Sequence, residues 1–383
     1  MGKILAKRVV NTLVLNPDVL HPAQRGFLKN GNILQNISLL IEALEQEHIT
    51  KSDENLHFAS YDQRKAYDLV QKYTIEMSLK RLNFPESFIK YVMWSLSDSQ
   101  AKIETPFGMS APFDLKTSVK QGDPLSPLIF LFVVDPLHIG LDKNPLYPES
   151  NDQYTVKTRR NNINVKIAST AFADDFTVLA STWKGLLRMH EFILRFFKYH
   201  QMFINCDKSF LSCKEKKDII PDSGEDKQLI GSLGEKIAWK NTEETFRHVG
   251  IRMNFNLCWK EEIRMIDKRI NFFRIKTVVS KSTLSQRVTI VRESLQPRMN
   301  LGLVFADISQ KVMNTWDKKL RLNILAKTSA IGHNSFSKAA FSLITNIFPT
   351  SLYADIVRST EFIIRLIQKE PPSSEVSRIR ILQ

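Results

Sequence analysis

The chain has 383 residues, 43% of them hydrophobic and 25% charged, with a formal net charge of +14 and a pI near 9.5. Length and composition suit two or three packed units with a large core and exclude a disordered or fibrous chain. The charge excludes an electrically neutral globule and favours polyanionic partners, nucleic acid first and an anionic membrane surface second.

The longest apolar run, Leu128 to Val134, is far too short to cross a bilayer, and the first residues lack a signal-peptide pattern. A soluble intracellular protein with no membrane attachment is expected. Cys206, Cys213 and Cys258 are too few for a disulfide framework and lack paired metal-ligand spacing, so zinc is not indicated.

In chain order, Ile4 to Leu15 is helical by pattern, and Pro17 and Pro22 mark a connection. Gln24-Arg25-Gly26-Phe27 then leads through Gly31 to a helix from Ile33 to Glu47, with Leu34, Ile37, Leu40, Ile41 and Leu44 on one face. Leu56 to Tyr61 is a short strand ending at Asp62. The spacing of Ala66, Leu69, Val70, Tyr73, Met77 and Leu82 predicts a helix over 64–82, stopped at Phe84-Pro85, with a second helix from Pro85 to Leu96. Ile103 to Leu115 alternates around Gly108 as a hairpin. Lys120 to Pro127 leads into a buried helix, Leu128 to Ile139, for which Ser126 and Pro127 supply cap and first turn.

Asn144 to Asn164, with Arg159 and Arg160, is a polar inserted loop. It precedes two strands, Val165 to Ala173 and Phe176 to Ala180, whose connecting tip is Asp174-Asp175. Leu186, Leu187, His190, Ile193, Leu194 and Phe197 define an amphipathic helix in which His190 is a packed histidine. Phe203 to Ser212 is a strand containing Lys208. After the polar insertion Lys214 to Glu235 comes a strand pair, Lys236 to Trp239 and Phe246 to Met253. From Lys260 onward the pattern is helical, and 260–327 carries 15 Lys and Arg against 6 Asp and Glu, an excess that suits a phosphate backbone. Pro371 to Gln383 has the composition of a loose tail.

Adjacent acids at a turn repel, and the dipeptide taken alone is an ordinary solvated turn. The wider pattern of strand, helix, buried helix, hairpin, helix and strand is a ferredoxin-like split βαββαβ unit, in which Asp62 and the Asp174-Asp175 tip can converge. Three carboxylates together call for cations. Two Mg²⁺ ions, with Mn²⁺ as a substitute, would relieve the repulsion and create a site for in-line phosphoryl transfer.

On these residues the sequence resembles the reverse transcriptases of LINE-type (non-LTR) retrotransposons. Tyr61-Asp62-Gln63-Arg64-Lys65-Ala66-Tyr67-Asp68 is similar to the first catalytic motif, Gln121 to Pro127 to the second and Phe172-Ala173-Asp174-Asp175 to the third. Asn205 to Ser209 and Phe246 to Gly250 are similar to the two that follow, and Gln24 to Phe27 with Asn36-Ile37 to the preceding fingers motif.

The resemblance covers about residues 4 to 255. It implies an α+β right-hand polymerase with partial fingers (1–57), a ferredoxin-like palm with inserted helices and loops (58–255), a basic helical thumb (256–330) and a C-terminal helical extension and tail (331–383). It implies RNA-directed DNA polymerase activity with an RNA template, a DNA primer and dNTPs, at a nuclear, chromosomal target; oligomeric state is left open.

Asp62, Asp174 and Asp175 are implied as metal-bearing catalytic residues, Asp175 more through its field than through ligation. Lys208 is implied to assist the leaving pyrophosphate. Tyr67 matches the aromatic wall against the sugar 2′ position, which speaks against an RNA-dependent RNA polymerase. Gln121 and Gly122 match nucleotide and template contacts, and Phe246, His248 and Gly250 match the primer grip.

Two departures are visible. Met1 stands near the middle of the family's fingers region, so the chain reads as N-terminally shortened, and Asn32 follows Gly31 where the family has arginine. No endonuclease domain or Cys/His knuckle is recognised. The alternative reading is a retroelement remnant that binds nucleic acid without turnover.

Overall fold

A computed structural model describes residues 1–29, 31–49, 55–97, 100–114, 117, 119, 120, 122–157, 164–214, 229–279 and 282–325. Gln121, Arg159, Arg160, most of the Lys214 to Glu235 insertion and everything expected of 331–383 lie outside these residues. The described chain divides into two units, one ending at Glu244 and one beginning at Thr245.

The first unit opens with α1 (Gly2–Leu15), a 3-10 turn (Pro17–Val19) and α2 (Ile33–Ile49), whose Ile37, Leu40, Ala43 and Leu44 are fully buried. β1 (His57–Tyr61), α3 (Lys72–Arg81) and α4 (Glu86–Leu96) follow. A long hairpin is built from β2 (Gln100–Ala101) paired with β5 (Phe113–Asp114) and from β3 (Glu104–Thr105) paired with β4 (Gly108–Met109). Next come α5 (Ser126–Asp142), β6 (Tyr154–Lys157), β7 (Asn164–Ile167), β8 (Ser169–Phe172), β9 (Asp175–Ala180), α6 (Trp183–His200), β10 (Phe210–Cys213) and β11 (Ala238–Lys240).

The main sheet runs β11-β10-β1-β9-β8. Its last four members, in the order β10-β1-β9-β8 and antiparallel throughout, are the split βαββαβ arrangement expected from the pattern. β11 extends the sheet as a parallel edge strand beside β10. A helix that is apolar all round must be buried. Every residue of α5 from Leu128 to Val134 is accordingly buried, in one cluster with Ala59 and Tyr61 of β1, Phe176 and Val178 of β9 and Leu186 and Ile193 of α6. Asp135 in that helix is 1% exposed and is neutralised by Arg81, 2.6 Å away, and by the backbone N–H of His21 at 2.6 Å. Removing Arg81 would strand a buried charge.

Several local expectations are corrected. Residues 64–71 do not continue α3 toward its N-terminus: Lys65 has φ +46°, Arg64 donates its N–H to the Phe203 carbonyl and the Tyr67 carbonyl accepts from Val119. Long-range backbone bonds thus take the groups that a helix would have used. Residues 203–209 form a bridge and turn, and only 210–213 is strand. The stretch 165–173 is two strands parted at Ala168, and β7 pairs with β6 inside what reads as a loop. Ser126 is the first helical residue of α5 and donates its hydroxyl to the Lys120 carbonyl; Leu125 occupies the cap position.

The second unit holds β12 (Phe246–His248) and β13 (Ile251–Met253), then α7 (Lys260–Val279), α8 (Leu284–Ile290), a π-helical stretch (Val291–Leu295), α9 (Gln296–Phe305) and α10 (Gln310–Leu325). The strand pair expected around 236–253 is therefore two separate pairings, since β11 joins β10 and β12 joins β13. Ile266, Ile270, Met299, Leu303, Trp316 and Ile324 form the unit's own core.

Burial makes the first unit acid-sensitive. His138, wholly buried with its Nδ1 against the Ser169 hydroxyl at 3.0 Å, is pulled down to about 3, by burial first and then by the charges of His21 and Arg25. A histidine with a lowered folded pKa contributes full stability above its unfolded value, about 6.5, and that contribution is lost as pH falls toward the folded one. His138→Asn is expected to flatten the fall of unfolding free energy between pH 6.5 and 4 by up to about 1.4 kcal/mol per pH unit. Denaturant unfolding at a series of pH values checks this, and an unchanged slope refutes it.

Candidate active site

The site is built at one end of the two central strands. Tyr61 closes β1 and is immobilised by stacking on Phe176 (5.0 Å between centroids) and His190 (5.8 Å), with its hydroxyl 2.9 Å from His190 Nδ1. The His190 Nε2 is 3.0 Å from the Ile230 carbonyl, so this histidine is packed as the sequence pattern indicates. Asp62 is the next residue. Its N–H donates to Ser209 Oγ (3.0 Å), its carbonyl accepts from Asn205 N (2.8 Å) and its carboxylate accepts from Asn205 Nδ2 (2.9 Å). The 205–209 turn therefore fixes both the backbone and the side chain of Asp62. Asn205 was legible only as part of a motif, because its role depends on an antiparallel bridge between Gln63 and Ile204.

The opposing acids come from the β8–β9 hairpin. Phe172 pairs with Asp175, leaving Ala173 and Asp174 as a two-residue loop. Ala173 has φ +59° while Asp174 does not share the positive sign, the pattern of a II′ turn whose first position ordinarily takes glycine. Of the two acids the turn thus holds only Asp174; Asp175 is the exposed first residue of β9, which corrects the expectation of two acids at the tip. Tyr61 pairs with Phe176, and the same register continued by one residue sets Asp62 beside Asp175.

Gln24 fastens this strained turn. Its Nε2 donates to the Ala173 carbonyl (3.0 Å), while its Oε1 accepts from Ala173 N (2.9 Å) and Gly26 N (3.1 Å). The flanking backbone is tied as well, with Arg25 N to the Ala171 carbonyl at 3.0 Å and Ala171 N to the Ala23 carbonyl at 2.8 Å. A Cβ on Gly26 would lie 2.5 Å from Ala173 N, so only glycine permits this approach. The sequence marks Gln24 to Phe27 as a motif but gives no sign that it braces residues 145 to 149 positions away.

Electrostatics tie the parts together. Asp174 is half-buried and its carboxyl is raised above the ordinary range, first by burial, with a backbone N–H opposing, then by the Asp62 charge, with Lys208 opposing. Lys208 Nζ is 3.8 Å from Asp62 Oδ2 and its side chain is 69% exposed. Tyr67 stacks on Phe130 of α5 (4.8 Å); its hydroxyl is buried without a hydrogen-bond partner and is pushed up to about 12 by burial and then by the Asp174 charge. Asp62, Asp174, Lys208 and Tyr67 are thus brought into one electrostatic neighbourhood.

Gly122 has φ +91° with open space where a Cβ would stand, so a side chain there is disfavoured by backbone conformation. Phe246 and His248 are buried and Gly250 has φ +97°, at the end of a tight β12–β13 turn within the second unit. Among the described residues no three His, Cys, Asp or Glu side chains are placed to hold an ion together. The hard oxygen donors of Asp62 and Asp174, mutually repelling, nonetheless suit Mg²⁺ in kind.

A split βαββαβ sheet with interacting aspartates at the end of its central strands carries donors suited to metal-assisted phosphoryl transfer. The family model described as reverse transcriptase (RNA-dependent DNA polymerase) matches residues 1–253, and the chain belongs to that family. The kinship is with the LINE type, as the motifs indicate. The chain is 27% identical over 85% of its length to 42% of a retrovirus-related Pol polyprotein from the type-1 retrotransposable element R2 of Popillia japonica. It is 25% identical over 84% of its length to 28% of the Pol polyprotein from the type-2 element R2DM of Drosophila melanogaster. It thus spans less than half of either relative. Among solved structures it is similar to apo telomerase from Candida tropicalis, at 13% identity over 100% of this chain and 61% of that one, with a TM-score of 0.49. No helix among the described residues is long and apolar enough to cross a membrane.

Proposed function

We propose that this chain performs RNA-directed DNA synthesis: a DNA primer 3′-hydroxyl attacks the α-phosphorus of a dNTP opposite an RNA template, and pyrophosphate leaves. The observation that carries this reading is the electrostatic meeting of Asp62 and Asp174 at the strand ends, inside a chain of this family.

Asp62 and Asp174, with Asp175 adding its field, would hold two magnesium ions, whose chemistry is to acidify the primer hydroxyl and neutralise triphosphate charge. Asn205 and Ser209 orient Asp62, and Gln24 and Gly26 hold the turn of Asp174, so the carboxylates keep their places without substrate. The Lys208 ammonium stands beside Asp62, free enough to meet the pyrophosphate leaving group. Gln121 and Gly122 would face the nascent base pair. In the right-hand partition, residues 1–57 serve as fingers, 58–255 as palm and 256–330 as thumb, with Phe246, His248 and Gly250 gripping the primer. Work at a chromosomal target would place the protein in the nucleus.

Mg²⁺-dependent extension of a labelled DNA primer on an RNA template, abolished by EDTA, is the expected result; no extension from any primer–template would overturn the reading. Tyr67 supplies a sharper test. The ring is braced by Phe130 close to the field of Asp174, where it can exclude a 2′-hydroxyl. Tyr67→Ala is expected to raise ribonucleotide incorporation relative to dNTPs about tenfold or more, read from paired single-nucleotide insertion rates. Unchanged discrimination would remove Tyr67 from the sugar site.

A further inference from the structure

Residues 229–237, at the end of a stretch whose sequence is simply polar, fold back as a short hairpin. Ile230 bridges Lys236, the Ile237 N–H donates to the Leu229 carbonyl at 2.9 Å and the Gly231 N–H donates to the Glu235 carbonyl at 2.7 Å. Gly234, at φ +86°, turns the chain between them, and Leu229 and Ile237 are fully buried. Three residues of this hairpin lead to neighbours of Asp62.

The Ile230 carbonyl lies 3.0 Å from His190 Nε2. A carbonyl only accepts, so the ring proton sits on Nε2, and the bare Nδ1 takes the Tyr61 hydroxyl at 2.9 Å. Burial, with the Ile230 bond opposing, holds His190 below its ordinary value and so favours this neutral ring. Tyr61 immediately precedes Asp62. On the other side, Gly231 is buried against Cys206, and a Cβ on it would stand 2.3 Å from Cys206 Sγ. Cys206 is 4% exposed and follows Asn205, whose backbone N–H and carboxamide both bond Asp62. The third link is Glu235 Oε1, 3.9 Å from Arg64 Nη2, but both side chains are more than a third exposed and such a pair adds little.

We infer that the 229–237 hairpin is a positioning clamp for Asp62, acting through Ile230, His190 and Tyr61 on one side and through Gly231, Cys206 and Asn205 on the other. Each link is a buried contact between short or ring-shaped side chains, and a closely packed interior transmits displacement instead of absorbing it. A shift at Gly231 or His190 therefore reaches the carboxylate, where about 1 Å costs on the order of 10²-fold. The clamp rests on the polymerase reading, which gives Asp62 its part in the reaction.

The test is single-turnover primer extension by the full chain, in which the amplitude counts competent molecules and the rate constant reports how fast they react. Gly231→Ala, which drives a methyl group into Cys206, is expected to lower the rate constant about tenfold or more while amplitude and duplex affinity stay within about twofold of wild type. Adding Cys206→Ala removes the atom in collision and should restore the rate constant to within about threefold of Cys206→Ala alone. His190→Phe keeps a ring on Tyr61 but neither hydrogen bond; it should also lose rate constant and not amplitude, and it tests the clamp if Gly231→Ala fails to fold.

Reduced amplitude at an unchanged rate constant in both variants would show that the hairpin serves folding alone, and the clamp falls. It falls too if Cys206→Ala gives no rescue or if His190→Phe reacts at the wild-type rate. Wild type that extends primers beside unaffected variants refutes the clamp alone; wild type that extends nothing refutes the polymerase reading and the clamp with it.

Discussion

Asp174→Asn should lose at least about 10³-fold in primer extension and yet unfold at a higher temperature than wild type in metal-free buffer at pH 7.5. On the proposed mechanism the activity loss follows from removing a carboxylate that would hold the cations of phosphoryl transfer, an effect of several kcal/mol in the barrier, where about 4 kcal/mol is 10³-fold. The stability gain follows from the raised Asp174 carboxyl. Burial and the Asp62 charge penalise its ionised form in the fold. A carboxylate with a folded pKa above its unfolded value is a full penalty above the folded pKa and none below the unfolded one, near 3.9. The Tm advantage of Asp174→Asn should therefore be present at pH 7.5 and vanish as pH falls below about 4. Magnesium should narrow it by stabilising wild type selectively. Calorimetry across pH, with and without Mg²⁺, reads both effects. A variant less stable than wild type at pH 7.5 would show that Asp174 serves packing instead.

Gln24→Ala should lower kcat about 30-fold while leaving the dNTP KM within about threefold. Three hydrogen bonds from one carboxamide hold the Ala173 turn and the Gly26 backbone against each other. Without them Ala173, at φ +59°, has fewer constraints on a conformation that L-residues disfavour, and Asp174 loses its fixed position. Misplacement of a catalytic group by about 1 Å costs on the order of 10²-fold. The variant also leaves buried N–H and C=O groups unsatisfied, costing about 1–3 kcal/mol each, so Tm falls as well. Gln24→Glu separates positioning from bulk packing. It keeps both acceptor contacts but sets a carboxylate oxygen against the Ala173 carbonyl, and its kcat should fall further than that of Gln24→Ala. Equal kcat for wild type and Gln24→Glu would show that the turn needs no such brace.

Much of this arrangement was legible in the sequence because the relevant signals are local. The apolar run of α5 reads directly as a buried helix, the Phe176 to Ala180 run as a core strand, and the order of elements yields the β10-β1-β9-β8 topology. The acids Asp62 and Asp174 could be matched across 112 positions only because that topology places strand ends together. What local pattern could not show is competition for backbone hydrogen bonds. Residues 64–71 have helical spacing, yet Phe203 and Val119 claim their groups. Nor could pattern show that the loop is Ala173-Asp174 and not the acid pair, since that depends on an alanine accepting positive φ under the restraint of Gln24. The arginine surplus at 260–327 is visible as composition, but that Arg269 lies 3.9 Å from the buried Glu262 and donates to the Arg298 carbonyl depends on how α7 meets α9.

The central claim is that Asp62 and Asp174 perform chemistry rather than shape the fold. Single-turnover primer extension in Mg²⁺, with duplex affinity measured in parallel, separates the two for wild type and Asp62→Asn/Asp174→Asn. The expected result is extension by wild type, and by the double variant unchanged duplex binding with no extension. Extension by the double variant at the wild-type rate would contradict the account.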